Sequence, residues 1–330
     1  MDRRDTNMVV KEFEDYDVPR RNPSLLLLIL AILTVVAYRK YSGEEAEQHP
    51  ADVSVAEAAG AGQAVKEADL PSAQTKPPDR AEPAGKPVDV SGWISRARKL
   101  VGAGKLVDAR DIYYRILEEG GQKASKTAEK ELGRINIQLI KTPRMMSEKI
   151  RYVVKRGDSI DRIARKHGTT VELVKKSNGI ENADLIRVGD RLAVFTGKPS
   201  ILVSKRRNDL VLYVNGRFFK RYSVGTGKYG KTPTGTFEIS VKDVEPVWYH
   251  NGKIVQYTGK PDGENILGTR WMTLEAVGET ENVKGYGIHG TWDEASVGKS
   301  ESAGCVRMRN KDVEELFMLV PPGTPVRIVE

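Results

Sequence analysis

A long stretch without aromatic side chains divides this sequence and limits what it can fold into. Between Tyr41 and Trp93 there is no Phe, Tyr or Trp, and Glu44–Pro87 contains eleven alanines and six prolines. Such a composition buries too little apolar surface to hold a fixed fold, so we predict a disordered linker over residues 42–89. The 330 residues therefore form separate parts on the two sides of this linker rather than one domain.

An uncharged apolar run, SLLLLILAILTVVAY, precedes the linker at Ser24–Tyr38. As a helix it would rise about 22 Å, less than the hydrocarbon core of a bilayer. Arg39 and Lys40 follow at once, which disfavours cleavage as a signal peptide but leaves it open. We predict an uncleaved transmembrane signal-anchor over residues 24–41, with a buried core helix as the alternative.

The basic residues around the apolar run predict its orientation. Five of them precede the run, and two follow it within fifteen residues. Because Lys and Arg are retained on the cytoplasmic side, we expect residues 1–23 to form a cytoplasmic tail. The rest of the chain is then expected outside the cytoplasm, attached to the membrane by a single pass.

Apolar residues at helical spacing predict three helices over residues 90–142. The first two flank a turn at Gly102–Gly104, and the third covers Ala124–Ile140. The first pair resembles a tetratricopeptide helix pair, although one pair is fewer than the repeats usually needed for stability. A docking surface for a protein partner and a plain helical spacer both remain open.

Residues 150–196 show the order strand, helix, helix, strand. The motif Tyr152-x-Val-x-x-Gly-Asp-x-Ile160, the motif Ile163-Ala-x-x-x-Gly168 and the pair Asn178-Gly179 together resemble a LysM module. The resemblance implies a small βααβ domain that binds N-acetylglucosamine-containing glycans, chiefly peptidoglycan. It places the sugars between two loops, at Gly157, Asp158, Ser159, Ile160, Asn178, Gly179 and Ile180.

Much of the net charge of +8 lies in and after this module, since Arg151–Arg221 holds 17 basic and 7 acidic residues. The excess would suit anionic wall polymers or peptide carboxylates, and a solvated surface explains it equally well. No nucleic-acid motif accompanies it, so we expect no nucleic-acid partner.

The sequence from residue 200 to residue 330 is dominated by short strand patterns. The Asn215-Gly216 pair between two alternating runs predicts a β-hairpin. A glycine-rich strand is predicted at Gly285–Gly290, and one helix at Lys311–Leu319 with Asn310 as its N-cap. Many strands with one late helix indicate a mixed, mainly-β domain.

The chain has a single cysteine, Cys305, and His289 lies sixteen residues before it. A histidine within hydrogen-bond reach could make the thiol a nucleophile, and an imidazolium beside the sulfur would lower the thiol pKa. The backbone N–H groups of Gly304 and Cys305 are candidates to stabilise an oxyanion. These residues alone leave a buried, unreactive thiol as the alternative to catalysis.

A longer series of motifs closely resembles the YkuD-type L,D-transpeptidase catalytic domain over Ser200–Glu330, about 40% of the chain. The Cys and His motifs carry most of its specificity. In chain order the motifs are Tyr213-x-Asn-Gly216, Ser223-Val-Gly-Thr-Gly227, Thr232-Pro-Thr-Gly-Thr-Phe237, Ile288-His-Gly-Thr291 and Ser302-x-Gly-Cys-Val-Arg-Met308.

The resemblance implies a cysteine acyltransferase that acts on peptidoglycan in a bacterial cell envelope, in the periplasm or the wall. Cys305 would attack the carbonyl of the third residue of a tetrapeptide stem and release the terminal D-alanine. A side-chain amine of a second stem would then resolve the thioester and cross-link two third residues. No cofactor and no metal are implied.

The resemblance also assigns roles to the residues around the nucleophile. His289 would be the general base and acid, oriented by the carbonyl of Gly290. Ser302 and Gly304 would support the loop, and Arg307 would anchor either the loop or a substrate carboxylate. We further expect three aromatic residues to line the donor groove: Tyr229, Trp248 and Tyr249.

One position departs from the family pattern, because Ala303 stands where the family usually has a histidine. His289 can still serve as the base, and His250 could compensate if its loop covers the site. Two alternatives therefore stay open: transfer of the same acyl-enzyme to water or another amine, and a non-catalytic wall-binding protein.

Overall fold

The structure is a computed structural model that describes residues 89–250, 252–260 and 264–330. The predicted cytoplasmic tail, the signal-anchor at 24–41 and nearly all of the linker lie outside the described residues. Within the described part of the chain, no helix has both the length and the apolar character needed to cross a membrane.

Three helices form the first part of the described chain, as the sequence predicts. They are α1 (Val90–Gly102), α2 (Leu106–Glu119) and α3 (Gly121–Ile140). The third begins three residues earlier than predicted. Ala97 and Ala109 are fully buried, so the small residues do lie where the helices pack.

The next segment has the predicted βααβ order. Ser159 and Thr170 cap its two helices, and the left-handed Gly179 (φ 66°) ends the second. Its two strands pair antiparallel. The elements are β1 (Lys149–Val153), α4 (Ile160–Lys166), α5 (Val171–Asn178) and β2 (Arg191–Phe195).

The C-terminal segment forms an eight-stranded mixed sheet with the order β13-β11-β10-β7-β14-β3-β4-β5. Two short pairs, β12-β6 and β8-β9, lie outside it. The elements are β3 (Pro199–Ser204), β4 (Asp209–Val214), β5 (Arg217–Ser223), β6 (Thr226–Gly227), β7 (Gly235–Val244), β8 (Trp248–His250), β9 (Lys253–Val255), β10 (Arg270–Ala276), β11 (Gly287–Thr291), β12 (Ser300–Ser302), β13 (Val306–Arg309), α6 (Asn310–Leu319) and β14 (Pro325–Val329).

The start of α6 corrects one prediction about Asn310. This residue is the first of the helix rather than its N-cap, and Arg309 occupies the cap position without a side-chain capping bond. The Asn310 side-chain oxygen instead accepts the N–H of Thr269 at 3.1 Å. Asn310 therefore ties the helix to the loop before β10 rather than closing the helix end.

The three segments pack on one another rather than standing apart. One hydrophobic core includes Ala109 of the helices and Ile328 of the sheet. Tyr114 Oη donates to the carbonyl of Phe218, and the side-chain amide of Asn136 donates to that of Phe219, both at 2.9 Å. The helices therefore cover the β5 edge of the sheet, the edge opposite β13.

A candidate active site around Cys305

Most of the catalytic-domain residues singled out from the sequence line a cavity of about 650 Å³ at the β13 side of the sheet. Residues of β7, β10, β11 and β13 line it, together with the three residues of β8. The cavity contains the only cysteine of the chain. The polar and aromatic side chains that line it include Asp243, Trp248, Tyr249, His250, Trp271, Lys284, Tyr286, His289, Ser302, Cys305 and Arg307.

Four of these residues form one row across neighbouring strands. Asp243 on β7 lies opposite Trp271 on β10, and Trp271 lies opposite His289 on β11. His289 lies in turn opposite Arg307 on β13. Directly paired residues share a face of the sheet, and the rings of Trp271 and His289 stack with centroids 5.5 Å apart. We name these four residues the cross-strand row.

The loop from Ser302 to Cys305 is closed by the Ser302 hydroxyl. This hydroxyl donates to the carbonyl of Cys305 at 2.7 Å and accepts the N–H of Gly304 at 3.1 Å. The support expected from Ser302 is therefore present in the geometry. The same contact corrects the predicted oxyanion pair, because the Gly304 N–H is already engaged and only the Cys305 N–H is left for a substrate.

Gly304 occupies a position that only glycine can take. Its φ is 143°, and an added Cβ would lie 2.6 Å from the Tyr286 ring. Its carbonyl accepts the Thr232 hydroxyl at 2.8 Å, and that hydroxyl accepts the N–H of Gly227 at 2.7 Å. The sequence motif that begins at Thr232 does not reveal this contact. In the structure the Thr232 hydroxyl supports the loop.

His289 is almost entirely buried, with 2% of its surface exposed. Its Nδ1 lies 2.6 Å from the carbonyl of Gly290, which is the contact expected from the resemblance. Because a carbonyl only accepts, Nδ1 carries the proton and Nε2 keeps its lone pair. Burial lowers the pKa of His289 to about 4, against the opposing effect of the Gly290 carbonyl.

The Cys305 thiol is half-buried and donates to the carbonyl of Gly285 at 3.7 Å. Burial raises its pKa, while a backbone N–H of Gly287 and the charge of Arg307 act in the opposite direction. Within the described residues no hydrogen bond joins this thiol to His289. The imidazolium–thiolate contact that the sequence left possible is not formed in this geometry, and burial disfavours the charged form of both groups.

The aromatic residues predicted for the donor groove divide into two groups. Trp248 and Tyr249 line the cavity on the β8-β9 hairpin. Tyr229 does not, since it lies in a short 3-10 turn (Lys228–Gly230) with 85% of its surface exposed. His250 does line the cavity, where its ring stacks on Trp248 with centroids 4.4 Å apart.

Among the lining residues that the sequence did not single out are Asp243 and Trp271. Each belongs to a strand whose neighbours are far away in the chain, so only the register brings it to His289. A signal for Trp271 did exist, because it is one of only four tryptophans in the chain. Ala303 lies exposed in the lining of the cavity.

Some of the residues predicted to bind glycan in the βααβ segment have structural contacts within that segment instead. Ile160 is 1% exposed and packs in the core of the segment, so its side chain cannot contact a sugar. The side chain of Asn178 bonds to the N–H and carbonyl of Ala193 at 2.7 and 3.0 Å. Its role is therefore to join α5 to β2.

The first loop of that segment is organised by Asp158. Its carboxylate accepts the Tyr152 hydroxyl and the N–H of Lys155, both at 2.8 Å. Ser159 accepts the N–H of Arg162 at 3.2 Å as the cap of α4. Exposed backbone remains at the two loop glycines, Gly157 and Gly179, and Ile180 packs half-buried against the core of the segment.

Comparison with known proteins gives two family matches. The YkuD family, the L,D-transpeptidase catalytic domain, matches residues 198–328, and the LysM domain matches residues 152–195. The chain is 42% identical over 135 residues to YqjB of Bacillus subtilis, which bears the name of an L,D-transpeptidase, and this match covers 41% of the chain and 73% of YqjB. It is 34% identical over 185 residues to the Bacillus subtilis L,D-transpeptidase YkuD, covering 54% of the chain and 97% of that protein. A solved L,D-transpeptidase from Mycobacterium smegmatis is similar with a TM-score of 0.33 and 17% identity, over 44% of this chain and 65% of that one.

Proposed function

Because the chain belongs to the L,D-transpeptidase family that carries the YkuD catalytic domain, we propose that Cys305 is its nucleophile and His289 its general base. The chain is an L,D-transpeptidase with a LysM domain. The observation that carries the assignment is the locked imidazole of His289, whose Nδ1 lies against the Gly290 carbonyl and whose Nε2 is left as a proton acceptor. The substrates that we propose are the stem peptides of peptidoglycan.

The reaction begins from two neutral groups. As the Cys305 sulfur attacks the carbonyl of the third stem residue, the thiol proton passes to Nε2 of His289. In this scheme the Cys305 N–H stabilises the oxyanion. Collapse of the tetrahedral intermediate breaks the peptide bond, and the imidazolium returns the proton to the departing D-alanine amine. A thioester to Cys305 remains.

The second half of the reaction reverses these proton movements. A side-chain amine from another stem attacks the thioester and loses one proton to His289. The carbon–sulfur bond breaks, and the thiol recovers that proton. The product is an amide between two third residues, and no external oxidant or metal takes part in this scheme.

The test is mass spectrometry of purified tetrapeptide muropeptides after incubation with the full chain. A dimer that lacks one D-alanine is the expected product, and Cys305→Ala should abolish it while leaving binding to the wall intact. A tripeptide monomer would show that the acyl-enzyme is transferred to water, which is the reaction of a carboxypeptidase. Product formation by Cys305→Ala would overturn the proposed nucleophile.

We also propose that the LysM domain holds a glycan strand at the exposed backbone around Gly157 and Gly179. In LysM domains this is the side on which glycan binding is expected, and both glycines are exposed and have a positive φ. The proposal is checked by sedimentation with purified peptidoglycan, where a chain altered at Gly157 and Gly179 should bind less. Equal binding by the altered and native chains would exclude these loops.

The remaining proposals concern segments for which support comes from the sequence. We propose a single-pass anchor at residues 24–41 and catalytic and LysM domains outside the cytoplasm, as their cell-wall role requires. We propose that the helical segment covers residues 90–142, the LysM domain residues 150–196 and the catalytic domain residues 200–330. We propose the helical segment as a docking surface for a protein partner. Membrane fractionation of the full chain tests the anchor, which predicts recovery with the membrane.

A further inference from the structure

The charged side chains of the catalytic cavity have no partners of their own. Asp243, Lys284 and Arg307 all line it, and none forms an ion pair with any residue in the described part of the chain. The other large cleft, between α3 and β5, differs in this respect. Its acidic residues Glu129, Asp209 and Glu315 are each bound to a basic side chain.

Two of these charged side chains, Asp243 and Arg307, belong to the cross-strand row. Asp243 lies at one end and Arg307 at the other, with Trp271 and His289 between them. Strands are about 4.8 Å apart, so Asp243 lies about 10 Å from His289 along the row and about 14 Å from Arg307. The reacting carbonyl has to lie beside His289, so the row offers a carboxylate on one side of it and a guanidinium on the other.

We propose that Asp243 recognises the side-chain ammonium of the third residue in the donor stem. This inference rests on the proposed function, and it names a specificity residue that the reaction itself does not require. The ammonium of a diamino acid lies roughly 7 Å from its carbonyl carbon, given ordinary bond lengths. An aliphatic side chain can therefore cross the face of Trp271 and bring its ammonium within hydrogen-bond reach of the Asp243 carboxylate.

The rest of the cavity fits the same orientation. Asp243 is the single carboxylate among the described lining residues, whereas Lys284 and Arg307 supply two cations. One carboxylate of the donor lies on the departing D-alanine, on the other side of the scissile bond from the side chain. Arg307, next to His289 in the row, is placed to receive that carboxylate.

The experiment compares two tetrapeptide donors that differ only in whether the side-chain amine of the third residue is free or acetylated. The full chain is used in excess over each donor, and release of D-alanine is followed by mass spectrometry, because it reports acylation of Cys305 even where the free amine of a second donor resolves the acyl-enzyme. We expect a preference of about tenfold for the free amine, typical of one charged hydrogen bond. Asp243→Asn should remove the preference, and Asp243→Glu should keep much of it.

Glu245→Gln is the matched control, because it removes the same charge two residues away and outside the cavity lining. It should retain the preference. The inference is overturned if Asp243→Asn keeps the preference, or if it slows both donors equally, as a merely structural role would. If neither donor acylates the native chain, the proposed nucleophile fails, and the inference fails with it.

Discussion

At the scale of single residues, burial decides the resting protonation of the two groups that we assign to the reaction. The pKa of His289 is lowered to about 4 and that of Cys305 is raised, both chiefly by desolvation. Near pH 7 the site therefore holds a neutral imidazole and a neutral thiol. The thiolate has to form during attack, when Nε2 of His289 receives the proton, rather than being present in advance.

This protonation state predicts an unusual pH dependence for alkylation of Cys305. Because only the thiolate reacts and its pKa is raised, the rate with iodoacetamide should increase about tenfold per pH unit from pH 6 to pH 8. The measurement is unambiguous because Cys305 is the only cysteine in the chain. A rate that is already constant across this range would mean that an ion pair exists after all.

The control for that prediction is His289→Gln. If no ion pair exists at rest, removing the imidazole should change the alkylation rate by only a few fold and leave its pH slope intact. Transpeptidation should be lost in the same variant, because the proton acceptor is gone. A large fall in alkylation would show that His289 stabilises the thiolate in the free protein.

At the scale of elements, the loop between β12 and β13 determines where the nucleophile points. Its conformation depends on two anchors, the Ser302 hydroxyl inside the loop and the Thr232 hydroxyl from the turn before β7. The first anchor engages the carbonyl of Cys305 itself. A change at Ser302 should therefore move the thiol and the Cys305 N–H together.

Ser302→Ala tests this element directly. Ser302 is 4% exposed, and its loss leaves the N–H of Gly304 without its acceptor, which costs about 1–3 kcal/mol of stability. We expect transpeptidation to fall by roughly one to two orders of magnitude, as for a displaced oxyanion donor. Ser300→Ala in the same strand is the control. It removes a hydroxyl that bonds to Thr226 rather than to the nucleophile loop, and it should keep most activity.

The elements themselves were largely predictable, because their signals are local. The Asn215-Gly216 hairpin forms with both residues at positive φ, and the βααβ order follows its capping residues. The cross-strand row was not predictable. Asp243, Trp271 and Arg307 reach His289 only through the register of four strands separated in the chain. The direction of the Cys305 pKa shift was left open as well, since it depends on burial that the spacing of Cys305 and His289 does not reveal.

At the scale of the whole molecule, the helices, the LysM domain and the catalytic sheet form a continuous structure. Arg110 and Glu148 form a buried ion pair that joins α2 to the residue before β1, with Nη1 and Oε2 at 3.0 Å. The Thr170 hydroxyl, which also caps α5, donates to the carbonyl of Met318 in α6. Contacts of this kind predict that the segments unfold together rather than one at a time.

Lys149 is the residue through which we would test that cooperativity. It is 5% exposed, and its ammonium donates to the carbonyls of Leu139, Ile140 and Thr142, where α3 ends. Burial lowers its pKa to about 8. The unfolded chain therefore binds more protons between about pH 8 and pH 10.5, and this lysine's contribution to stability rises with pH across that window.

Lys149→Met should lower the free energy of unfolding by about 1–3 kcal/mol, because buried carbonyls lose their donor. Unfolding in urea is followed by tryptophan fluorescence and by circular dichroism. We expect a single transition in which the catalytic sheet unfolds together with the segment that contains Lys149. The exposed Lys155→Met, just after the same strand β1, is the control and should change stability by less than about 0.5 kcal/mol. Two separate transitions, with only the LysM part shifted by Lys149→Met, would show that the LysM domain unfolds independently. The loops proposed to bind glycan would then belong to a separate folding unit, whereas one shared transition means that they depend on the same core as Cys305.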